Sequence, residues 1–181
     1  MKQAYIVTDS KTELEILKKL LPEPIKKNIE FVVVASSSAS SVSSSILMAK
    51  RLPVVLVIDA HTDDESMISE RQDTLQYLLR QTAAYVPFKV LFAVPTIETI
   101  FFQDKSLLEQ IINHKFTEIE WELAKYHPKK SLTYFLGENP LSKIVNNLTD
   151  KTINVLQKHP FIIELVEFLS SVIDKKMITD N

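Results

Sequence analysis

Four short apolar runs in the first hundred residues constrain the fold of this sequence more than any other feature. Each is rich in β-branched residues, too short for a helix and continuous rather than alternating, which is typical of a strand buried on both faces. The runs are Ala4–Thr8, Ile29–Ala35, Pro53–Ile58 and Phe88–Val94. Segments with helical spacing of leucines separate them. The order β-α-β-α-β-α-β therefore predicts an α/β fold with an open, mostly parallel four-stranded sheet and helices on both faces.

The chain beyond residue 105 predicts a mainly helical C-terminal extension. We expect an α/β core over residues 1–105 and helices packed on it over residues 106–181. A weak strand is expected at Leu132–Leu136. Proline is favoured in the first helical turn, so helices are expected to start at Asn139-Pro140 and His159-Pro160. The apolar Phe161–Ile173 predicts a helix docked on the core, and the alternative is a helix that binds a protein partner or a second copy.

A single glycine, Gly137, stands in the 181 residues. Loops that hold phosphate through backbone N–H groups rely on glycine for positive φ and close approach. The sequence therefore excludes a P-loop and a Rossmann-type glycine turn. The serine-rich stretch over residues 36–45 predicts a loop that leads into a helix, with a hydroxyl-lined anion pocket as the alternative.

Composition limits the compartment and the partners. The absence of cysteine excludes disulfides, thiolate metal sites and cysteine nucleophiles, and it fits the reducing cytoplasm that we expect for this protein. No apolar run approaches the roughly 20 residues that span a bilayer, so no membrane association is expected. The formal charge of −2 gives no general attraction for nucleic acid, which would have to bind through a local site.

Acidic residues follow three of the four runs. Asp9 follows the first run, Asp59 the third and Glu98 the fourth, while His61 and Asp63 lie just beyond Asp59. Ligands of parallel sheets bind at the carboxyl ends of the strands, so we expect these side chains to converge on one edge. Mg²⁺ binds through one or two carboxylates together with water and phosphate oxygens. The pattern therefore predicts a divalent-metal site.

Helix capping is an alternative explanation for part of this pattern. Two stretches have the spacing of a capping box, Ser10-x-x-Glu13 and Thr62-x-x-Glu65. Acids in the first turn also interact favourably with the helix dipole. Capping does not explain Asp9 and Asp59, because both directly end apolar strands.

These residues resemble the motifs of the TOPRIM-like superfamily, found in topoisomerases, primases, OLD-type nucleases and several small families. The segment Thr8–Glu13 is similar to the first motif, of the type V-E-G-K-T-D, with Asp9 at the glutamate and Ser10 at the glycine. Asp59-Ala60-His61 matches the first acid of the D-x-D motif and departs from the second. Pro95–Glu98, followed by two phenylalanines, is similar to a later motif of some small families. The resemblance covers residues 4–105.

The resemblance implies metal-dependent phosphodiester chemistry in nucleic-acid processing or defence, with Mg²⁺ or Mn²⁺ as the cofactor. The catalytic residues that it implies are Asp9, Glu13 and Glu98, and the metal ligands are Asp9, Asp59, His61 and Asp63. Two departures leave open whether the chain is an enzyme. Asp9 is one methylene shorter than glutamate, and His61 suits softer metals than Mg²⁺.

Two other classes of function stay open. The first is a non-catalytic interaction module that has lost its metal chemistry. The second is a receiver-like domain, with Asp59 as the phosphoacceptor, Asp9 in its acidic pocket and Thr96 as the switch hydroxyl. A receiver needs a fifth strand that ends in lysine, and the sequence after Phe102 does not supply one.

Overall fold

The four apolar runs form one parallel sheet in the computed structural model, which describes the backbone of residues 2–179 and the side chains of residues 2–173. The strands are β1 (Ala4–Thr8), β2 (Ile29–Val33), β3 (Val54–Asp59) and β4 (Phe88–Ala93). Their order is β2-β1-β3-β4, and all neighbouring strands are parallel. The predicted sheet is confirmed, and Asp59 is the last residue of β3 rather than the residue after it.

Helices connect the strands and dominate the chain that follows them. They are α1 (Lys11–Leu20), α2 (Glu23–Asn28), α3 (Ala39–Ala49), α4 (Glu65–Ala83), α5 (Lys105–Ile112), α6 (Glu118–Tyr126), α7 (Pro128–Leu136), α8 (Pro140–Asn147), α9 (Asp150–Leu156) and α10 (Pro160–Thr179). Two 3₁₀ turns lie at Ser36–Ser38 and Ile97–Gln103. None of the helices within residues 2–179 has both the length and the apolar character needed to cross a membrane.

Helices cover both faces of the sheet, as predicted. Because side chains alternate along a strand, Ile6, Val55 and Leu91 face one hydrophobic cluster, which includes residues of α1, α2 and α5 to α10. The side chains of Val7 and Leu56 face the second cluster, which α3 and α4 complete. Both faces of the strands therefore contribute to the core, and all six residues of the central β3 are buried, which explains the continuous apolar sequence.

The predicted strand at Leu132–Leu136 is wrong, because this segment forms the second half of α7. Pro128 begins that helix and Gly137, with φ 71°, follows its last residue. A proline at the start and a glycine just past the end favour a helix more strongly than the β-forming residues between them oppose it. Helices α8 and α10 begin at Pro140 and Pro160, as expected.

Helix α10 packs in the core of the protein. Ile162, Leu165 and Leu169 are fully buried and belong to the same cluster as Ile6 and Val55 of the sheet. The apolar face that suggested a helix for partner binding or self-association is therefore covered by the chain itself.

Candidate active site

The candidate site lies where the direction of the chain connections reverses. From β1 the chain passes to β2 on one side, whereas β3 leads to β4 on the other side. The crevice between the carboxyl ends of β1 and β3 is therefore the topological switch point, where parallel sheets bind their ligands. Asp9 directly follows β1, and Asp59 ends β3.

Three buried carboxyl groups meet at this edge. Glu13 is 1% exposed, Glu98 3% and Asp59 5%. They come from three different elements: the first turn of α1, the 3₁₀ turn after β4, and the end of β3. Because each group contributes to the pKa of a neighbour, the site behaves as one electrostatic unit.

Burial, together with the charges of Asp59, Asp9 and Glu98, raises the pKa of Glu13 to about 9. Glu13 is therefore protonated at neutral pH. A hydrogen bond joins its carboxyl to that of Asp59, and Glu13 donates the proton in that bond. Its Oε2 also accepts from the hydroxyl of the fully buried Thr8.

The pKa of Asp59 is shifted less from its ordinary value than that of Glu13. Burial and the charge of Glu98 raise its pKa to about 6, while three interactions oppose that rise. These are the N–H of Ile97, which donates to Asp59 Oδ1 at 2.8 Å, the hydrogen bond from Glu13 and the positive potential of His61. At pH 7 Asp59 is mostly ionised, and it also anchors the chain that follows β4.

The negative charge at the site is not matched by basic side chains. None of the salt bridges formed by residues 2–173 includes Asp9, Glu13, Asp59 or Glu98. Glu98 Oε2 is buried without a hydrogen-bond partner, and Glu13 Oε1 has none when that carboxyl is ionised. The buried hydroxyl of Thr96 also has no partner in this part of the structure. The site therefore contains buried oxygen atoms to which no protein group donates a hydrogen bond.

The structure brings most of the predicted site residues to this edge. Asp9 is half-buried, and its charge acts on Glu13. His61 is exposed, with φ 58°, and its backbone N–H donates to Pro95 O at 2.7 Å. Asp63 is exposed and is not among the groups that shift the pKa of Glu13 or Asp59. The receiver-like alternative lacks its fifth strand within residues 2–179.

The capping boxes are not formed as the spacing suggested. Ser10 does cap α1, because its hydroxyl accepts from the backbone N–H groups of Thr12 and Glu13, but the Glu13 carboxyl is buried in the acidic site instead of capping. At α4 the cap is Asp64, whose carboxylate accepts from the first-turn N–H groups. Thr62 instead accepts from the Asp64 N–H at 3.1 Å.

Arg71 is a residue near the site that the sequence did not reveal. Its Nη1 donates to Ala60 O at 2.7 Å, directly after β3, and its guanidinium lies 5.1 Å from the centre of the Phe92 ring. It fixes the β3–α4 connection from within α4. Its place eleven residues after Ala60 gives no motif that sequence reasoning could have used.

Comparison with known proteins gives little beyond the geometry. No protein-family model matches the sequence, and no curated protein matches it significantly. Among solved structures, the chain is similar to the C-terminal region of the Burkholderia pseudomallei OLD protein. The TM-score is 0.49 and the identity 13%, over 94% of this chain and 98% of that one. A similarity of this size carries no argument about activity.

Proposed function

We propose that this chain is a divalent-cation-dependent phosphodiester-processing domain centred on Glu13, Asp59 and Glu98, with Asp9 at the open edge. The observation that supports it is the meeting of three buried carboxyls at the switch point of a parallel sheet, without a lysine or arginine partner in the described residues. The resemblance of Thr8–Glu13 and Asp59–His61 to TOPRIM-like motifs supports the phosphodiester as substrate class.

The free-energy cost of burying these carboxyl groups favours a functional role for them. Burying an ionised carboxyl costs several kcal/mol unless an opposite charge or a full set of donors compensates. At this site either a proton or a cation must provide that compensation, and a proton does so for Glu13, whose pKa is about 9. Groups whose pKa is shifted by burial and by like charges gather at functional sites more often than elsewhere.

The donor chemistry fits a hard cation. Carboxylate oxygens are the preferred ligands of Mg²⁺, which needs only one or two of them when water and phosphate complete its shell. Within the described residues no group of three or more His, Asp or Glu is arranged to hold a metal ion, so a two-carboxylate site is the form that fits. Asp59 and Glu98 would hold the cation, and its positive charge would favour loss of the proton from the neighbouring Glu13. A cation bound there would polarise a phosphate oxygen and lower the pKa of a bound water.

A purely structural role is the second candidate, and specific contacts favour it. Asp59 accepts from the Ile97 N–H, and Glu13 bonds to both Asp59 and Thr8. These hydrogen bonds connect β1, α1, β3 and the turn after β4, and the bond between Glu13 and Asp59 contains a single proton. In that case the chain would be a non-catalytic interaction module, and its stability would not depend on cations.

Thermal melts in millimolar Mn²⁺ and in chelator separate the two candidates. A ligand that binds only the folded state stabilises it by about 2.7 kcal/mol at a hundredfold excess over Kd. Wild type should therefore melt higher in Mn²⁺, while Asp59→Asn and Glu98→Gln should lose the increase. Asp73→Asn is the matched control, because it removes an exposed acid of α4. Equal melting temperatures of wild type in the two buffers would contradict the metal-binding proposal.

Calorimetry tests the role of the Glu13 proton. If the cation displaces it at pH 7, the heat of Mn²⁺ binding should vary with the ionisation enthalpy of the buffer, up to about one proton per cation. Glu13→Gln should bind without that buffer dependence. A buffer-independent heat for wild type would show that Glu13 keeps its proton when the cation binds.

Hydrolysis of bis(4-nitrophenyl) phosphate and of single-stranded DNA tests the phosphodiester step. Wild type with Mn²⁺ should cleave at least one of them, and Asp59→Asn should not. Cation binding without cleavage of either substrate would contradict phosphodiester processing while leaving the cation site intact.

A further inference from the structure

Helix α6 exposes an apolar face to solvent. Ile119, Leu123 and Tyr126 are 74%, 62% and 67% exposed, and their spacing of four and three residues places them on one side of the helix. The opposite side carries Trp121 and Ala124, which are buried in the first hydrophobic cluster. A surface helix that covers a core normally has a polar outer side, whereas α6 exposes an apolar stripe beside its charged residues.

The exposed area is large enough for an interface. These three side chains offer on the order of 400 Å² of apolar surface, and a standard interface covers about 800 Å² on each partner including its polar rim. Tyr134 of the next helix, α7, is also 83% exposed. Single exposed apolar residues are common, whereas an apolar stripe of this size on a soluble protein marks a binding surface.

Charges beside the stripe change sign along the helix. The first half of α6 carries Glu118 and Glu122, and its end and the first turn of α7 carry Lys125, Lys129 and Lys130. Glu118 contacts Lys105 and Glu122 contacts Lys125, yet the two glutamate side chains stay 86% and 59% exposed. Within the described residues Lys129 and Lys130 form no salt bridge.

We propose that this surface binds a second copy of the chain, with the two α6 helices antiparallel across a two-fold axis. In a two-fold interface the same patch meets itself, so a patch must be complementary to itself in reversed direction. The α6 surface meets that condition. The apolar stripes of the two copies face each other, and Glu118 and Glu122 of one copy approach Lys129 and Lys130 of the other at both ends. A partner of uniform charge would match only one half of this surface.

Sedimentation velocity of the full chain at tens of micromolar tests the proposal. Wild type should be a dimer that dissociates on dilution, and Leu123→Glu should weaken it by about 100-fold or more, as expected for a residue at the centre of an interface. Ile119→Lys should act in the same way, and because both side chains are exposed the melting temperature of the monomer should not fall. Tyr77→Glu is the matched control, since it removes a side chain that is 65% exposed on α4. A monomeric wild type, or a dimer that survives Leu123→Glu, would overturn the proposal.

Charge reversal tests the antiparallel arrangement. One variant, Lys129→Glu with Lys130→Glu, makes both halves of the surface acidic, and the other, Glu118→Lys with Glu122→Lys, makes both basic. Each variant alone should be a monomer, and an equimolar mixture should form the heterodimer at low salt. If the mixture stays monomeric while wild type is a dimer, the copies do not meet in the antiparallel way. Neither variant changes the acidic site, so the Mn²⁺ response of both should equal that of wild type.

Discussion

At the residue scale, the environment of Glu13 determines its chemistry. A glutamate in the first turn of an exposed helix stays ionised and interacts with the helix dipole. In this protein the carboxyl is buried beside Asp59 and Glu98 and holds its proton up to a pKa of about 9. At neutral pH the site therefore contains one proton, in the hydrogen bond from Glu13 to Asp59, and the loss of this proton must influence stability.

The stability of the metal-free protein should fall as pH rises from about 5 to 9. The unfolded chain releases the Glu13 proton near the ordinary pKa of 4.5, while the folded chain keeps it to about 9, so between these values the folded state binds more protons. Asp59 acts in the same direction between 3.8 and about 6. One proton changes the free energy of unfolding by up to about 1.4 kcal/mol per pH unit. Urea unfolding in chelator at pH 5, 7 and 8.5 measures the slope.

The variant Glu13→Gln is the control for this slope, because the amide cannot ionise. Its stability should change less with pH, and at pH 8.5 it should be at least as stable as wild type. Glu109, whose pKa is lowered beside Lys115, does not affect this range, whereas burial lowers the pKa of His159 from 6.5, so His159 opposes the fall in its lower part and does so equally in both proteins. A wild-type stability that rises between pH 5 and 8.5 would show that Glu13 is ionised in the folded protein.

Two substitutions of Asp59 distinguish its hydrogen bond to Ile97 from its proposed role in binding the cation. Asp59→Asn keeps a carbonyl that can accept from the Ile97 N–H, whereas Asp59→Ala leaves that buried donor unpaired. The alanine variant should lose about 1–3 kcal/mol relative to the asparagine variant in chelator. Both should lose the response to Mn²⁺. Equal stability of the two variants, measured by urea unfolding, would mean that the bond to Ile97 contributes nothing.

At the scale of elements, the sequence predicts the sheet well because its strands contribute side chains to hydrophobic clusters on both faces and contain few polar positions, such as Glu30 and Lys89 in the two edge strands. The strand predicted at Leu132–Leu136 is wrong because this segment contains β-forming residues, although Pro128 and Gly137 at the ends of α7 indicate a helix. The meeting of Asp9 and Asp59 at one edge follows from their strand ends. The place of the Glu13 carboxyl does not, since a capping residue and an inward-pointing acid have the same spacing from Ser10, and only contact with β3 distinguishes them.

The scarcity of glycine affects the ends of elements. Within the described residues six positions other than glycine have positive φ, and one is Ala84, which ends α4 with φ 43° and ψ 50°. Ala84→Gly should stabilise the protein by about 0.5–1 kcal/mol, because glycine removes the cost of the left-handed conformation. Ala83→Gly, one residue earlier and still helical, should destabilise it by about 1 kcal/mol. Thermal melts of both variants measure the difference, and a loss of stability in Ala84→Gly would contradict this.

At the scale of the whole molecule, one hydrophobic cluster includes residues of both the α/β core predicted over residues 1–105 and the helical extension predicted after it. The first hydrophobic cluster includes Ile6 and Val55 of the sheet together with Leu108, Ile144 and Leu165 of the later helices. One face of the sheet is thus covered partly by residues that follow position 105. Helix α3 and helix α4 cover the other face without them. The acidic site lies at the edge between these layers, so its geometry depends on both.

A fragment that ends at residue 105 should therefore not fold by itself. It would expose sheet side chains such as Ile6, Val55 and Leu91, which are buried in the whole protein. Leaving a large apolar side chain in water costs about 1.5–3 kcal/mol, and a folded domain is stable by only about 5–15 kcal/mol. We expect the fragment to lack a cooperative thermal transition and to bind a hydrophobic dye, with the full chain as the control. Mixing it with a fragment of residues 106–181 should restore the transition. A cooperative melt of the first fragment alone would show that the sheet, with α1 to α4 and the turn after β4, is already an independent folding unit.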